Sequence, residues 1–163
     1  MTDMSFIVYE MDYTGDTINE DIRLRNFTDS DYDEYKKLYE DSFFEMRKSL
    51  GLPRECCKRC DEISSLSDSI FILEENGSIF GSVAVYGNEI DDLFVSEEHR
   101  KNGYGRRLLR FAVEYLQKRN AERIFLQATP HKDCAEDAPT DFSSDCIEIS
   151  QAYLRMSRNF CAR

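Results

Sequence analysis

The segment from residue 89 to residue 129, "EIDDLFVSEEHRKNGYGRRLLRFAVEYLQKRNAERIFLQAT", constrains the fold more than any other part of the chain. It opens with an apolar run, passes through a loop with two glycines, and continues with apolar residues at every third or fourth position. That spacing predicts a long helix with one apolar face, and the closing run "RIFLQAT" predicts a strand. A strand, a helix and a strand in this order predict a crossover between parallel strands. The apolar face comprises Leu108, Leu109, Ala112, Val113, Tyr115 and Leu116.

The residues before this segment predict a strand, one or two helices, and then an antiparallel meander. Residues 21–28, "DIRLRNFT", alternate apolar and charged side chains, which is typical of a strand with one exposed face. Three apolar runs in residues 69–96 are separated by "ENG" and "YGNE", which are turn signals between strands. The helical part ends at Gly51 and Pro53. Its apolar positions are Tyr35, Leu38, Tyr39, Phe43 and Met46.

The two ends of the chain are less regular. Residues 130–149 contain six acidic side chains and two prolines and predict a long exposed loop. Residues 150–160 predict a final short helix that starts at Ser150. We therefore divide the chain into an N-terminal extension, residues 1–20, and a single α/β domain, residues 21–163.

Charge and hydropathy exclude several classes of partner. The formal net charge of -11 repels phosphates at long range, which argues against binding to nucleic acid or to an anionic membrane. No apolar run is long enough to cross a bilayer, and the first residues lack the pattern of a secretory signal, so we predict a cytoplasmic protein. Positive charge is nevertheless concentrated in one place, at Arg100, Lys101, Arg106, Arg107 and Arg110.

Cysteine spacing does not predict a metal site. Three of the six cysteines, Cys56, Cys57 and Cys60, fall in "CCKRC". Structural zinc usually requires four nitrogen or sulfur ligands, and neither a second Cys-x-x-Cys pair nor a nearby histidine pair is present in the sequence. We expect reduced thiols and no bound metal.

The loop before the long helix predicts an anion site. The first turn of a helix has unpaired amides, and Gly103 and Gly105 allow oxygen atoms to approach the backbone closely. Neighbouring arginine and lysine side chains add charge-assisted hydrogen bonds to phosphate. Residue 108 is Leu, which removes the third glycine of a dinucleotide-binding fingerprint, and no Gly-Lys-Ser/Thr triplet of a P-loop occurs. The expected ligand is a pyrophosphate.

The same residues resemble the coenzyme A loop of the GNAT superfamily of N-acetyltransferases, whose pattern is Arg/Gln-x-x-Gly-x-Gly/Ala. The pattern stands here as Arg100, Lys101, Asn102, Gly103, Tyr104 and Gly105. Flanking segments resemble the family's first five strands in order, over residues 22–129. The resemblance implies a mixed, mostly antiparallel central sheet flanked by helices, in which the family's strands four and five splay apart.

The resemblance also implies how acetyl-CoA, the cosubstrate, is held. The backbone of Leu93, Phe94 and Val95 contacts the pantetheine arm, while residues 100–106, ending at Arg106, bind the pyrophosphate. Plain core packing is the alternative role for the side chains of Leu93, Phe94 and Val95. Exposure on the helix surface is the alternative for Arg107 and Arg110.

Acetyl transfer requires a neutral amine and a proton donor for the departing thiolate. By resemblance, a carboxylate near the fourth strand takes the amine proton, and the candidates are Glu89, Asp91 and Asp92. Alternation predicts Glu89 and Asp91 on one face of the strand and Asp92 on the other. We assign Glu89 as the base; attraction of a cationic amine without proton transfer is the alternative. Tyr153, in "QAYLRMSRNF", is assigned as the acid, and an ordinary packed tyrosine is its alternative.

The C-terminal end departs from the family pattern. The spacing from Tyr153 to Phe160 is longer than in the family, and "CAR" is too short to form the strand that normally follows. The sheet then ends early, or a partner chain covers its edge, or the acceptor half is altered. An uncovered edge invites pairing with a second copy, so a homodimer is one hypothesis.

Three functions follow in order of preference. The first is an acetyl-CoA-dependent N-acetyltransferase for a primary amine of a small cationic molecule or peptide, which attacks the thioester directly. The second is a CoA-binding regulatory or interaction module with little or no transferase activity. The third is an interaction protein that uses "CCKRC" or the acidic segment 130–149.

Overall fold

The computed structural model describes residues 9–128 and 141–142. Three α-helices are present in these ranges: α1 (Tyr32–Ser49), α2 (Cys60–Ser64) and α3 (Tyr104–Lys118). None of them is both long and apolar enough to cross a membrane. The strands are β1 (Tyr9–Tyr13), β2 (Arg25–Asn26), β3 (Ile70–Glu75), β4 (Ser78–Tyr86), β5 (Glu89–Val95), β6 (Phe125–Ala128) and β7 (Asp141–Phe142).

These strands form one open mixed sheet in the order β2-β3-β4-β5-β6-β1-β7. Two neighbouring pairs are parallel, β5 with β6 and β1 with β7, and the other pairs are antiparallel. One hydrophobic cluster packs α1 against one face of the sheet, and a second packs α3 against the other face. The predicted mixed, mostly antiparallel sheet flanked by helices is confirmed.

The predicted meander is confirmed as β3, β4 and β5. Asn76 and Gly77 join β3 to β4 with φ values of 53° and 78°, and positive φ at both central residues suits the right-handed twist of a hairpin. Gly87, with a φ of 64°, begins the turn between β4 and β5. Both turns lie where the sequence places them.

The helical prediction is also confirmed, with one long helix and a separate short one. α1 buries Tyr35, Tyr39 and Phe43 along one side, and the Tyr35 ring lies edge-on to Phe94 of β5 with 5.4 Å between centroids. Gly51 follows the helix with a φ of 67°, in the left-handed region that glycine tolerates at a helix end. α1 therefore packs on β5 through aromatic rings.

The first predicted strand is shorter than expected. Residues 21–28 contribute only β2, and Phe27 extends its pairing through an amide hydrogen bond of 3.0 Å to the Ile70 carbonyl. Arg25 on β2 donates to both carboxylate oxygens of Asp31, at 2.7 and 2.8 Å. Burial alone would raise the pKa of Asp31, but the hydrogen bonds from Arg25 and Thr28 lower it below its ordinary value.

The predicted crossover is confirmed: β5 leads into α3, and β6 returns parallel to β5. α3 buries its predicted apolar face against β4 and β5. The Tyr115 ring is only partly buried and contacts the Phe71 ring at 4.8 Å between centroids. An unexpected buried residue on this helix is Glu114, which is 3% exposed.

The edge of β6 is covered by the N-terminal strand β1, which none of the sequence-based alternatives anticipated. β1 runs antiparallel to β6, and Met11 of β1 stands opposite Leu126. Arg123 reinforces the pairing by donating to Glu10 at 2.6 Å and to Asp12 at 2.5 Å. The chain itself therefore supplies a strand beyond β6, and within its described part the uncovered β6 edge that favoured a homodimer is absent.

Residues 14–24, which we call the strap, connect β1 to β2 across α3. Ile18 of the strap is 4% exposed, and its amide donates to the Gln117 side chain at 2.9 Å. The Asp21 amide donates to Glu114 at 3.1 Å, and Lys118 pairs with the same carboxylate at 2.7 Å. The strap thus fixes β1 to the helix that follows the glycine loop.

β5 and β6 part soon after they meet. Their pairing consists of Glu89 with Phe125 and Ile90 with Leu126. β5 then continues to Val95 beside β4, while β6 continues beside β1. The predicted splay is confirmed, and we call the opening between the two strands the wedge.

Candidate functional site

The loop from β5 to α3 is fixed by local contacts. The Ser96 hydroxyl and Nδ1 of His99 share a hydrogen bond of 2.6 Å. The His99 ring stacks on Phe80 of β4, with 3.6 Å between centroids. Nε of Arg100 donates to the Val95 carbonyl at 3.2 Å, so this side chain folds back over the end of β5. The loop is therefore held in one conformation before any ligand arrives.

Gly103 forms the N-cap of α3 in a left-handed conformation. Its φ is +82°, a backbone angle that residues other than glycine rarely adopt. Its carbonyl accepts the first hydrogen bond of the helix, from the Arg107 amide at 3.0 Å. A Cβ added at Gly103 would meet no atom within 4 Å among the described residues, so open space lies over the turn. The amides in the first turn of α3 have no acceptor within the helix, as in any α-helix, and are therefore potential donors to a ligand.

The positive side chains divide into two groups. Lys101, Arg106 and Arg107 are exposed around the start of α3, where they can reach a bound anion. Arg110 pairs instead with Glu20 of the strap at 2.5 Å and is mostly buried. Arg110 therefore serves the strap contact, which is neither the anion contact nor the exposed helix surface that the sequence analysis considered for it.

The β5 residues predicted to hold a pantetheine arm are packed as core residues. The side chains of Leu93 and Val95 lie in the cluster under α3, and Phe94 lies among the aromatic rings of α1. Their backbone lies beyond Ile90, where β5 no longer pairs with β6. The two roles are compatible, because an arm in the wedge would contact backbone while the side chains pack.

Three carboxylates cluster on β5 at the narrow end of the wedge. Glu89, Asp91 and Asp92 are 5%, 6% and 7% exposed. Glu89 stands opposite Tyr86 on β4 and Phe125 on β6. Buried carboxylates are rare unless hydrogen bonds hold them, so this cluster is a candidate functional centre.

A bulge at Asp92 changes the direction of these side chains. The β4–β5 register shifts here, and Asp92 has a φ of +45°, which is uncommon for a residue other than glycine. Ile90 and Leu93, three positions apart, consequently both pack under α3. Strict alternation, from which opposite faces were predicted for Asp91 and Asp92, does not hold across the bulge.

The Asp92 carboxylate is turned towards α1 and held by Tyr39. The Tyr39 hydroxyl donates to Oδ1 of Asp92 at 2.7 Å, and the Tyr86 side chain lies close enough for the Asp92 charge to affect its pKa. The Asp92 amide donates to Oδ1 of Asp91 at 2.7 Å. Burial first, and then the charge of Asp92, raise the pKa of both tyrosines well above the ordinary value.

Sequence reasoning missed the role of these two tyrosines. The helical pattern identified Tyr39 only as an apolar-face residue, and Tyr86 was noted only as the first residue of the turn signal "YGNE". The one available signal was that a tyrosine on a buried face needs a partner for its hydroxyl. The predicted acid Tyr153 lies outside the described residues.

The "CCKRC" segment packs beside this cluster. The amides of Cys56 and Cys57 both donate to Oε1 of Glu40 at 3.3 Å. Burial, with added effects from Glu40, Cys56 and Asp92, raises the pKa of Cys57 to about 12. This thiol therefore stays protonated at neutral pH and is a poor nucleophile. In the described ranges, no three histidine, cysteine or acidic side chains are grouped so as to hold a metal ion.

The open mixed sheet with a wedge, and the glycine loop between the wedge strand and a helix, define the fold class as α/β. Residues 27–136 match the model of the acetyltransferase (GNAT) family. The match covers more than half of the chain, so the chain belongs to this family. Family membership supports acetyl transfer as the general reaction and implies acetyl-CoA as its acetyl source.

Solved structures of low sequence identity align with the chain, and the first two of the following share its fold. A GNAT-family acetyltransferase from Colwellia psychrerythraea aligns with a TM-score of 0.55 and 9% identity, over 80% of this chain and 49% of its own. A mutant protein from Bacillus halodurans aligns with a TM-score of 0.50 and 17% identity, over 60% of this chain and 76% of its own. A Staphylococcus aureus acetyltransferase shows 20% identity over 60% of this chain and 74% of its own, with a TM-score of 0.47. No curated protein matches the chain.

Proposed function

We propose that the protein is an acetyl-CoA-dependent N-acetyltransferase that acts on a primary amine of a small cationic molecule or peptide. The observation that carries the proposal is the left-handed Gly103 at the start of α3, with open space above it, directly after a strand that parts from its neighbour. This geometry combines a pyrophosphate cradle with an opening for an extended arm.

The residues present fit this cosubstrate. Backbone amides at the start of α3 and exposed basic side chains suit a pyrophosphate, and the β5 backbone beyond Ile90 suits the amide groups of a pantetheine arm. The proposed pyrophosphate site comprises Arg100, Lys101, Asn102, Gly103, Tyr104, Gly105 and Arg106. The proposed pantetheine contacts are the backbone groups of Leu93, Phe94 and Val95.

Bound acetyl-CoA supplies an activated acetyl group, and the chain supplies proton transfer. An alkylammonium has an ordinary pKa near about 10.4 and must lose a proton before it can attack. Glu89, at the narrow end of the wedge, takes that proton directly or through water. The amine nitrogen then bonds to the acetyl carbon as the carbon–sulfur bond breaks. Tyr153 gives a proton to the leaving sulfur and regains one from the acetylated nitrogen, while the proton held by Glu89 passes to water. The products are an N-acetyl amine and CoA.

A second candidate is a CoA-binding module with little or no transferase activity. It is favoured by β1, which occupies the place beside β6 where the resemblance implies a C-terminal strand. If β1 replaces the C-terminal strand beside β6, the protein can still bind CoA on the β5 side while the acceptor-binding site on the β6 side is lost.

Following free thiol during incubation with acetyl-CoA and a panel of amines separates the two candidates. A transferase shows amine-dependent thiol release, and Glu89→Gln lowers kcat about a hundredfold without loss of CoA binding. The control is Glu98→Gln, because Glu98 is an exposed carboxylate in the neighbouring loop. CoA binding by calorimetry with no amine-dependent release contradicts the enzyme and supports the module. Tyr153→Phe tests the acid separately, with retained binding and slower turnover expected.

A further inference from the structure

We propose that His99 is a positioning residue that holds the glycine loop, residues 96–103, in the conformation that binds acetyl-CoA. This inference rests on the proposed function, and it adds a residue that is outside the proposed pyrophosphate site. His99 acts through the backbone of the loop rather than by contact with the cosubstrate. The expected consequence is that loss of His99 weakens CoA binding without slowing the chemical step.

The glycine loop contains a turn that needs support from its surroundings. Lys101 has a φ of 62° and Gly103 a φ of 82°, so both residues lie in the left-handed region. A residue with a side chain persists in this region where neighbouring contacts hold it there. Lys101 is exposed, so its own side chain is not packed into the fold. The contacts that hold the turn therefore come from neighbouring residues.

The His99 side chain connects three elements around this turn. Its ring stacks on Phe80 of β4, with 3.6 Å between centroids and 20° between the ring planes. Its Nδ1 shares the hydrogen bond of 2.6 Å with the hydroxyl of Ser96, the residue that follows β5. The same ring lies edge-on to Tyr104, the first residue of α3, with 6.2 Å between centroids. One side chain thus links β4 to both ends of the loop.

Backbone hydrogen bonds place the His99 ring on a fixed base. The Ser96 amide donates to the Phe80 carbonyl at 2.8 Å, and the His99 amide donates to the Ser96 carbonyl at 3.0 Å. Ser96 is itself buried, with 6% exposure. Further along the loop, the side-chain amide of Asn102 donates to the His99 carbonyl at 3.4 Å. The residues on both sides of His99 are therefore tied to it.

An imidazole suits this position because it combines two properties. Its flat ring stacks on Phe80, and its Nδ1 forms the hydrogen bond with Ser96. A phenylalanine would provide only the stacking, and an alanine would provide neither. Without these contacts, the loop must be ordered when the cosubstrate binds, and the lost conformational entropy lowers the affinity.

The chemical step should not depend on His99. The proposed base Glu89 is the first residue of β5, whereas the glycine loop begins after Val95, the last residue of that strand. A positioning role therefore predicts a higher KM for acetyl-CoA with an unchanged kcat, because the loss affects binding of the cosubstrate and not proton transfer.

Calorimetric titration with CoA tests the inference independently of turnover. His99→Ala should bind CoA about tenfold more weakly than the wild type. His99→Phe and Ser96→Ala each keep a stacked ring and remove the hydrogen bond, so each should lose about threefold in affinity. The double variant should bind no more weakly than either of these two, because both changes remove the same hydrogen bond.

Phe111→Ala is the matched control. Its partly buried ring also belongs to the cluster under α3, but it packs on Phe71 at 4.8 Å between centroids, about two turns beyond the loop. This variant loses a ring contact of α3 without touching the glycine loop, so its CoA affinity should equal that of the wild type. In turnover, His99→Ala should raise the KM for acetyl-CoA about tenfold and leave kcat within about twofold.

Wild-type CoA affinity in folded His99→Ala overturns the inference. If that variant does not fold, wild-type affinity in Ser96→Ala overturns it instead. An equal loss in Phe111→Ala also contradicts it, because the effect would then be general destabilisation. Failure of the proposed function is seen separately, as absence of amine-dependent thiol release by the wild type, and the calorimetric comparison does not depend on that release.

Discussion

The two walls of the wedge are built from differently arranged parts of the chain. The β5 wall comes from one continuous stretch, in which β4, β5, the glycine loop and α3 follow each other. The β6 wall comes from distant parts, because β6 is completed by β1 from the N-terminal end and held by the strap. Local sequence therefore determines the β5 wall, whereas tertiary pairing determines the β6 wall.

The largest stability effect is expected for Met11→Ala in β1. Met11 is 5% exposed and packs in the cluster that contains Leu126. Truncation of a buried methionine leaves a cavity, so the free energy of unfolding should fall by about 3 kcal/mol. Urea denaturation followed by circular dichroism measures the change.

If β1 is an integral strand of the sheet, this loss appears in a single cooperative transition. The matched control is Met46→Ala on α1, where the methionine is only partly buried and a smaller loss is expected. A Met11→Ala protein as stable as the wild type would show that the β6 wall does not depend on β1.

A smaller effect is expected for Glu114→Gln, which weakens the contact between α3 and the strap. Burial alone would raise the pKa of Glu114, but Lys118 and the Asp21 amide lower it below the ordinary value of 4.5. A lowered pKa in the folded state stabilises the fold above the ordinary pKa, and that stabilisation is lost as pH falls through the folded value. The variant should lose about 1–2 kcal/mol at neutral pH.

Unfolding free energies measured between neutral and acid pH check the sign of this effect. Between pH 4.5 and the lower folded pKa, the wild type should lose stability more steeply than Glu114→Gln. Parallel curves for the two proteins would show that the carboxylate makes no charge-dependent contribution to the strap.

The smallest effect is expected for Arg123→Gln. Its ion pairs with Glu10 and Asp12 link β1 to the start of β6, but all three side chains are about half exposed. Water and salt screen such pairs, so the loss should be smaller than for Glu114→Gln and should shrink further in high salt. A loss larger than that of Met11→Ala would mean that charge rather than packing holds β1.

The sequence predicted the parts of the fold that are coded by short-range patterns. The hairpin at Asn76 and Gly77 and the crossover through α3 were readable because turn residues and helical spacing specify them locally. β1 was not readable, because "YEMDY" carries one clearly core apolar residue, Met11, and its partner strand comes from the other end of the described chain. Cross-strand contacts rather than local preference place it.

The candidate site divides in the same way. The glycines of the loop before α3 were identified from sequence as positions of close backbone approach, and the structure gives Gly103 a positive φ, whereas Gly105 lies within α3. The Asp92 bulge was hidden because alternation assumes an uninterrupted strand, and the contact with Tyr39 joins residues on different elements. The contact between Tyr39 and Asp92 could therefore be identified only from the structure.

Calorimetric titration of CoA into Gly103→Asp tests the central claim most directly, with Gly77→Asp as its control. Both glycines have a positive φ, of 82° and 78°, and open space around them, so both variants carry the same backbone strain. The account predicts that Gly103→Asp weakens CoA binding about a hundredfold or more through its side chain and charge, while Gly77→Asp binds as the wild type does. Wild-type affinity in a folded Gly103→Asp protein would contradict the assignment of the carrier loop.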